Sequence, residues 1–138
     1  MQFFEWFDRR REYAPFFIRL VIGVILIEGT ADNVFSGEQM LEFEKFLASN
    51  GLPFPLVGAI LSAYAQFICG ILILLGAATR LASVVMIVNF LFALGIGHRV
   101  GGFGPARLAL VILFAALFLL FHGAGKPSVD ESLAKRRQ

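Results

Sequence analysis

A single cysteine, Cys69, stands in the 138-residue chain, so no intrachain disulfide and no Cys-x-x-Cys redox pair can form. Any electron transfer would have to use a borrowed carrier. Metal-ligand spacing, a nucleotide-binding glycine loop and a nucleophile triad are also missing. Charge is scarce: 16% of residues are Asp, Glu, Lys or Arg, against about a quarter in soluble domains. The net charge of +2, with arginines at the edges of apolar runs, speaks against a nucleic-acid partner.

What is plentiful is apolar surface, 58% of the chain, concentrated in long runs over 14–31, 56–78, 81–97 and 106–123. Each is near the roughly 20 residues a helix needs to cross about 30 Å of hydrocarbon. The expected fold is therefore an all-α membrane protein, a four-transmembrane-helix bundle with spans of about 14–33, 56–78, 81–98 and 105–123. The first run carries charges well inside it, Arg19 and Glu28, whereas the last has only Arg107 at its very start. Arg9, Arg10 and Arg11 before an apolar stretch resemble the start of a signal peptide, but three further runs downstream point to an uncleaved first helix.

Residues 1–13 mix Phe3, Phe4, Trp6 and Phe7 with three arginines, which suits either a helix in the headgroup layer or a frayed basic end. Between the first two spans, Ser36 and Gln39 make a capping box and Asn50-Gly51 a left-handed stop, bracketing an outer amphipathic helix over 36–50. Its Met40, Phe43 and Leu47 recur at helical spacing. The 76–81 connection is short enough to force an antiparallel pair, 98–105 reads as a glycine-rich loop, and 124–138 as a polar tail. Basic residues collect on one side: Arg9, Arg10, Arg11, Arg80, Lys126, Lys135, Arg136 and Arg137, against Lys45, Arg99 and Arg107. Both termini are thus expected in the cytoplasm, in a bacterial-type inner membrane.

Position along each span converts to depth at about 1.5 Å per residue. Glu28, Gln66 and Asn89 then fall near one mid-membrane level. A carboxylate there costs roughly 3 kcal/mol, so Glu28 is expected to face the interior, to be protonated or to be paired. It reads either as a neutral acid that fixes helix packing or as a ligand, proton or quinone group. Ser62, Gln66 and Gly70 form a small and polar stripe on span two, and Asn89, Ala93 and Gly97 one on span three. Gln66 and Asn89 read first as hydrogen-bonding glue between helices. Asp32 and His98 share the outer edge, where His98 is either a proton relay or a plain interfacial histidine. Arg19, Arg80 and His122 share the opposite level. There Arg19 would snorkel or bind lipid phosphate, with Arg80 and His122 as further lipid or anion contacts, and nine residues of separation put Arg19 out of phase with Glu28. Cys69 reads as an apolar filler.

Four short motifs occur in order along the spans: Arg19-Leu20-x-x-Gly23, Gly51-Leu52-Pro53, Leu74-Leu75-Gly76-x-x-Thr79-Arg80, and Gly123-x-Gly125-Lys126-x-Ser128-x-Asp130. Together they resemble the DoxX family of small four-helix membrane proteins. The chain departs from that family where Glu28-Gly29 replaces a frequent His-Gly and Gln66 a frequent glutamate. The resemblance implies a link to oxidoreduction, since relatives include the small subunit of thiosulfate:quinone oxidoreductase. The leading expectation is a subunit or accessory of a quinone-linked oxidoreductase. Glu28 and His98 would be its catalytic groups, Gln66, Asn89, Ser62 and Asp32 its ligand-binding groups, and a bound quinone its only cofactor, without metal. The alternatives are a non-enzymatic assembly protein bound to another membrane protein, and a minimal transporter that would need a homo-oligomer to supply its missing half.

Overall fold

The computed structural model describes the backbone of residues 1–100 and 103–137 and the side chains of 1–95 and 106–137. Among the described residues there are seven α-helices and no strand. They are α1 (Gln2–Asp8), α2 (Ala14–Phe35), α3 (Gly37–Ser49), α4 (Pro55–Leu75), α5 (Thr79–Val100), α6 (Phe103–His122) and α7 (Val129–Arg136). A 3-10 turn, Arg11–Tyr13, joins α1 to α2.

The bundle is built from two tight antiparallel pairs, α2 with α4 and α5 with α6, joined mainly through α4 and α5. Small residues bring the first pair close, because a Cβ on Gly23 would stand 2.9 Å from Leu74 Cβ and one on Gly70 2.9 Å from Leu26 Cβ. The buried residues of α2, Pro15, Arg19, Ile22, Gly23, Leu26 and Thr30, share one helical face. Of these, Ile22 and Leu26 meet Cys69 and Ile73 of α4, Ala82, Met86 and Phe90 of α5, and Ile112, Ala116 and Leu119 of α6 in one core.

α3 begins at Ser36, whose Oγ accepts a 3.5 Å hydrogen bond from the Gln39 amide, and ends before Gly51, which is left-handed at φ 80°. Its Met40 and Leu47 pack on Ala59 and Ala63 of α4, so its apolar face rests on the bundle. The 76–81 turn is made by Gly76 (φ 72°) and Ala78 (φ 46°). Two segments differ from expectation. α5 runs on through positions 98 and 99 to Val100, and α6 starts at Phe103, so most of the expected 98–105 loop is helical. Glycine is tolerated in such helices when neighbouring helices hold the segment. The polar tail contains α7.

The outer surface is apolar. Phe17, Leu61, Leu81, Phe92, Phe114 and Phe121 are all more than 60% exposed, a girdle far larger than the patches that soluble monomers carry. Two helical segments, Arg11–Phe35 and Pro55–Leu75, are long and apolar enough to cross a bilayer; the stretches Thr79–Gly95 and Ala106–His122 are apolar but shorter.

Candidate functional site

The i, i+4 spacing of Ser62 and Gln66 puts both on the α4 face that meets α5. Gln66 Nε2 donates to Ser62 Oγ at 2.9 Å, and Ser62 Oγ donates to Asn89 Oδ1 at 2.8 Å. The three side chains form one chain of hydrogen bonds across the α4–α5 seam. All are half-buried. Links of this kind contribute about 0.6 kcal/mol on average inside membranes, enough to fix register.

Glu28 is not part of this cluster. It lies on the outer face of α2, in phase with Phe17, Val21 and Val24, which are exposed, and opposite Arg19, which is buried. The expectation that it faces the interior is therefore corrected, and the reason is helical phase. Gly23, Leu26 and Thr30 take the inward positions, and Glu28 is out of step with all three. No side-chain hydrogen bond or ion pair joins it to another described residue. Asp32 is likewise exposed on α2. The side chain of His98 lies outside the described residues.

The other polar concentration closes one end of the bundle. Arg19 is 1% exposed and donates through Nη2 to the Pro127 carbonyl, while its Nε and Nη1 have no hydrogen-bond partner among the described residues. It neither snorkels nor reaches the surface, contrary to the expected lipid contact. The tail reaches it because Lys126 N donates to the Glu12 carbonyl and Asp130 N to the Gly76 carbonyl. Asp130 then caps α5 with both carboxylate oxygens, accepting from Ala78 N at 2.7 Å and Thr79 N at 2.9 Å. Ser128 caps α7 by accepting from Glu131 N at 3.1 Å. A cavity of about 440 Å³ lies between turn and tail, lined by Thr79, Arg80, Gly123, Ser128 and Asp130 among others. Arg80 is exposed beside Gly123, and His122 is exposed and stacks on Phe118 at 5.4 Å.

Sequence reading did not find this cap. Its local signal, Ser128-x-x-Glu131, is a capping box, but the partner of Asp130 stands some 50 residues upstream. Lys126 ties the tail to the N-terminal segment, 3.1 Å from Glu12 and 3.8 Å from Glu131. The hydrogen bond to Glu12, then the charges of Glu12 and Glu131, hold its ammonium above the usual lysine value. A raised lysine stabilises fully below the ordinary lysine range and loses that contribution as pH rises through the raised value. Among the described residues no three histidine, cysteine or carboxylate side chains converge as metal ligands.

An outwardly apolar helical bundle, with a hydrogen-bonded polar chain at one interhelical seam and a polar cap at one end, is a membrane-embedded helical protein. The DoxX family model matches residues 14–99, and the chain belongs to that family. It is also similar to an uncharacterised membrane protein of Mycobacterium tuberculosis, 29% identical over 86% of this chain and 80% of that one. No solved structure matches the chain significantly.

Proposed function

We propose that the protein is a four-span accessory subunit of a quinone-linked membrane oxidoreductase, docked to its enzyme through the outer face of α2. The observation that carries this reading is the position of Glu28. A carboxylate well inside a spanning helix, exposed beside Val21 and Val24, costs roughly 3 kcal/mol when it faces hydrocarbon. A partner helix that presents a hydrogen-bond donor removes that cost. Four spans are supported by the lengths of α5 and α6, 22 and 20 residues or about 30 Å each. The arginines of the N-terminal segment, Arg80 and the basic tail gather at one end, which supports both termini in the cytoplasm. Co-purification from native membranes should return a membrane subunit of a quinone-reducing enzyme with the wild type and lose it with Glu28→Ala, while the variant keeps its own thermal stability. Equal recovery with both proteins removes the docking role.

A second reading, quinone binding at the α4–α5 seam, is favoured by the partial exposure of Ser62, Gln66 and Asn89, whose hydroxyl and two amides can donate to carbonyl oxygens. Organic extraction and mass spectrometry of the detergent-purified protein should then yield a quinone that Gln66→Leu loses. A quinone-free wild type rules this reading out.

A further inference from the structure

α1 buries none of its residues in the bundle. Its Phe3, Phe4, Trp6 and Phe7 are each more than half exposed, so the described residues leave much of their apolar surface uncovered. Between α1 and the head of α2 lies a cavity of about 870 Å³, walled by Trp6, Phe7, Tyr13 and Phe17 and carrying Arg10 and Arg11, with Asp8 as its one acid. Arg10 lies over the Trp6 ring at 4.2 Å. Neither Arg10 nor Arg11 forms an ion pair among the described residues, and the acid next in sequence, Glu12, is engaged by Lys126 at 3.1 Å. The cavity opens where α2 enters its apolar stretch, the depth at which a lipid headgroup gives way to its acyl chains.

From this arrangement we infer that the α1–α2 cavity is a binding site for an anionic phospholipid. Arg10 and Arg11 take the phosphate, and the aromatic walls take the upper acyl chain. Guanidinium groups form charge-assisted, bidentate bonds to phosphate oxygens, and the Arg10–Trp6 stack holds one of them in place. Selectivity for net negative lipid follows from charge. A zwitterionic headgroup brings a cation that Arg9, Arg10 and Arg11 disfavour, whereas each arginine near the surface enriches anionic lipid by about fivefold. This site is separate from the Glu28 face of α2 and does not depend on the docking reading.

Trp6 is the only tryptophan in the chain, so its fluorescence reports on this cavity alone. The full-length protein is reconstituted in phosphatidylcholine vesicles containing a minor fraction of acyl-brominated lipid, either phosphatidylglycerol or phosphatidylcholine. The expected result is severalfold stronger Trp6 quenching by the brominated phosphatidylglycerol, an advantage that shrinks with added salt and falls steeply in the double variant Arg10→Gln, Arg11→Gln. Because α1 lies outside the core, that variant keeps the fold. Equal quenching by both lipids in the wild type overturns the proposal, as does an undiminished preference in the variant.

Discussion

Gly23→Val should push α2 away from α4 and lower the stability of the detergent-solubilised protein by about 3 kcal/mol, the upper range for overpacking a tight contact. A Cβ at this position would stand 2.9 Å from Leu74 Cβ and 3.0 Å from the Gly70 carbonyl oxygen, both held on the facing helix rather than at the end of a flexible side chain. Gly70→Val meets the same crossing from the other side, against Leu26 Cβ at 2.9 Å and Ile27 Cγ1 at 3.1 Å. Once one valine has separated the pair, the second has less left to disrupt, so the double variant should cost less than the sum. Gly29 is the control. Nothing lies within 4 Å of a Cβ there, and Gly29→Ala should leave stability unchanged or raise it by up to about 1 kcal/mol through helix propensity. Thermal unfolding of the four variants in one detergent checks the series.

Asp130→Ala should release the tail and cost about 2 kcal/mol, because one carboxylate performs two tasks. It satisfies the Ala78 and Thr79 amides at the start of α5, a cap that typically contributes about 1 kcal/mol. It is also a negative charge that favours the buried Arg19 guanidinium from beyond ion-pair distance, so its loss adds to the cost of keeping that cation buried. Asp130→Asn keeps a capping oxygen and loses the charge, so the difference between the two variants separates the two contributions. Adding Arg19→Met to Asp130→Asn should recover part of the loss, since the uncompensated cation is then gone. Proteolytic nicking within 123–137, alongside thermal unfolding, reports whether the tail has come free. Gly76 belongs to the same device. At φ 72°, a Cβ there would overlap Arg19 Nη1 and sit 2.5 Å from Ser128 Cβ, so the turn, the arginine and the tail fit together only around glycine.

The sequence was informative where physical signals are local. Long apolar runs mark α2 and α4, and Asn50-Gly51 marks the end of α3. The depth arithmetic for antiparallel helices, with i+4 spacing, brings Gln66 and Asn89 to one level, and Ser62 bridges them. The same arithmetic misjudged Glu28 because depth says nothing about azimuth. In a membrane helix the inward and outward faces are both apolar, so hydrophobic periodicity cannot tell them apart. The useful signal was small-residue phase. Gly23 marks the close approach to α4, Arg19 and Thr30 share its face, and Glu28 does not. The closed end was illegible for a different reason, since Asp130 acts on amides far away in sequence and no local rule links the two. Three of the four family-like motifs nevertheless meet there, through Arg19, Gly76, Thr79 and the segment 123–130.

The docking role of α2 is tested most directly by site-specific photocrosslinking in native membranes, with p-benzoylphenylalanine at Val24, one turn from Glu28 on the exposed stripe. The account predicts an adduct with a membrane subunit of a quinone-reducing enzyme that disappears when Glu28→Ala is added. An adduct formed only with lipid or with a second copy of this chain, or one that survives Glu28→Ala unchanged, contradicts it.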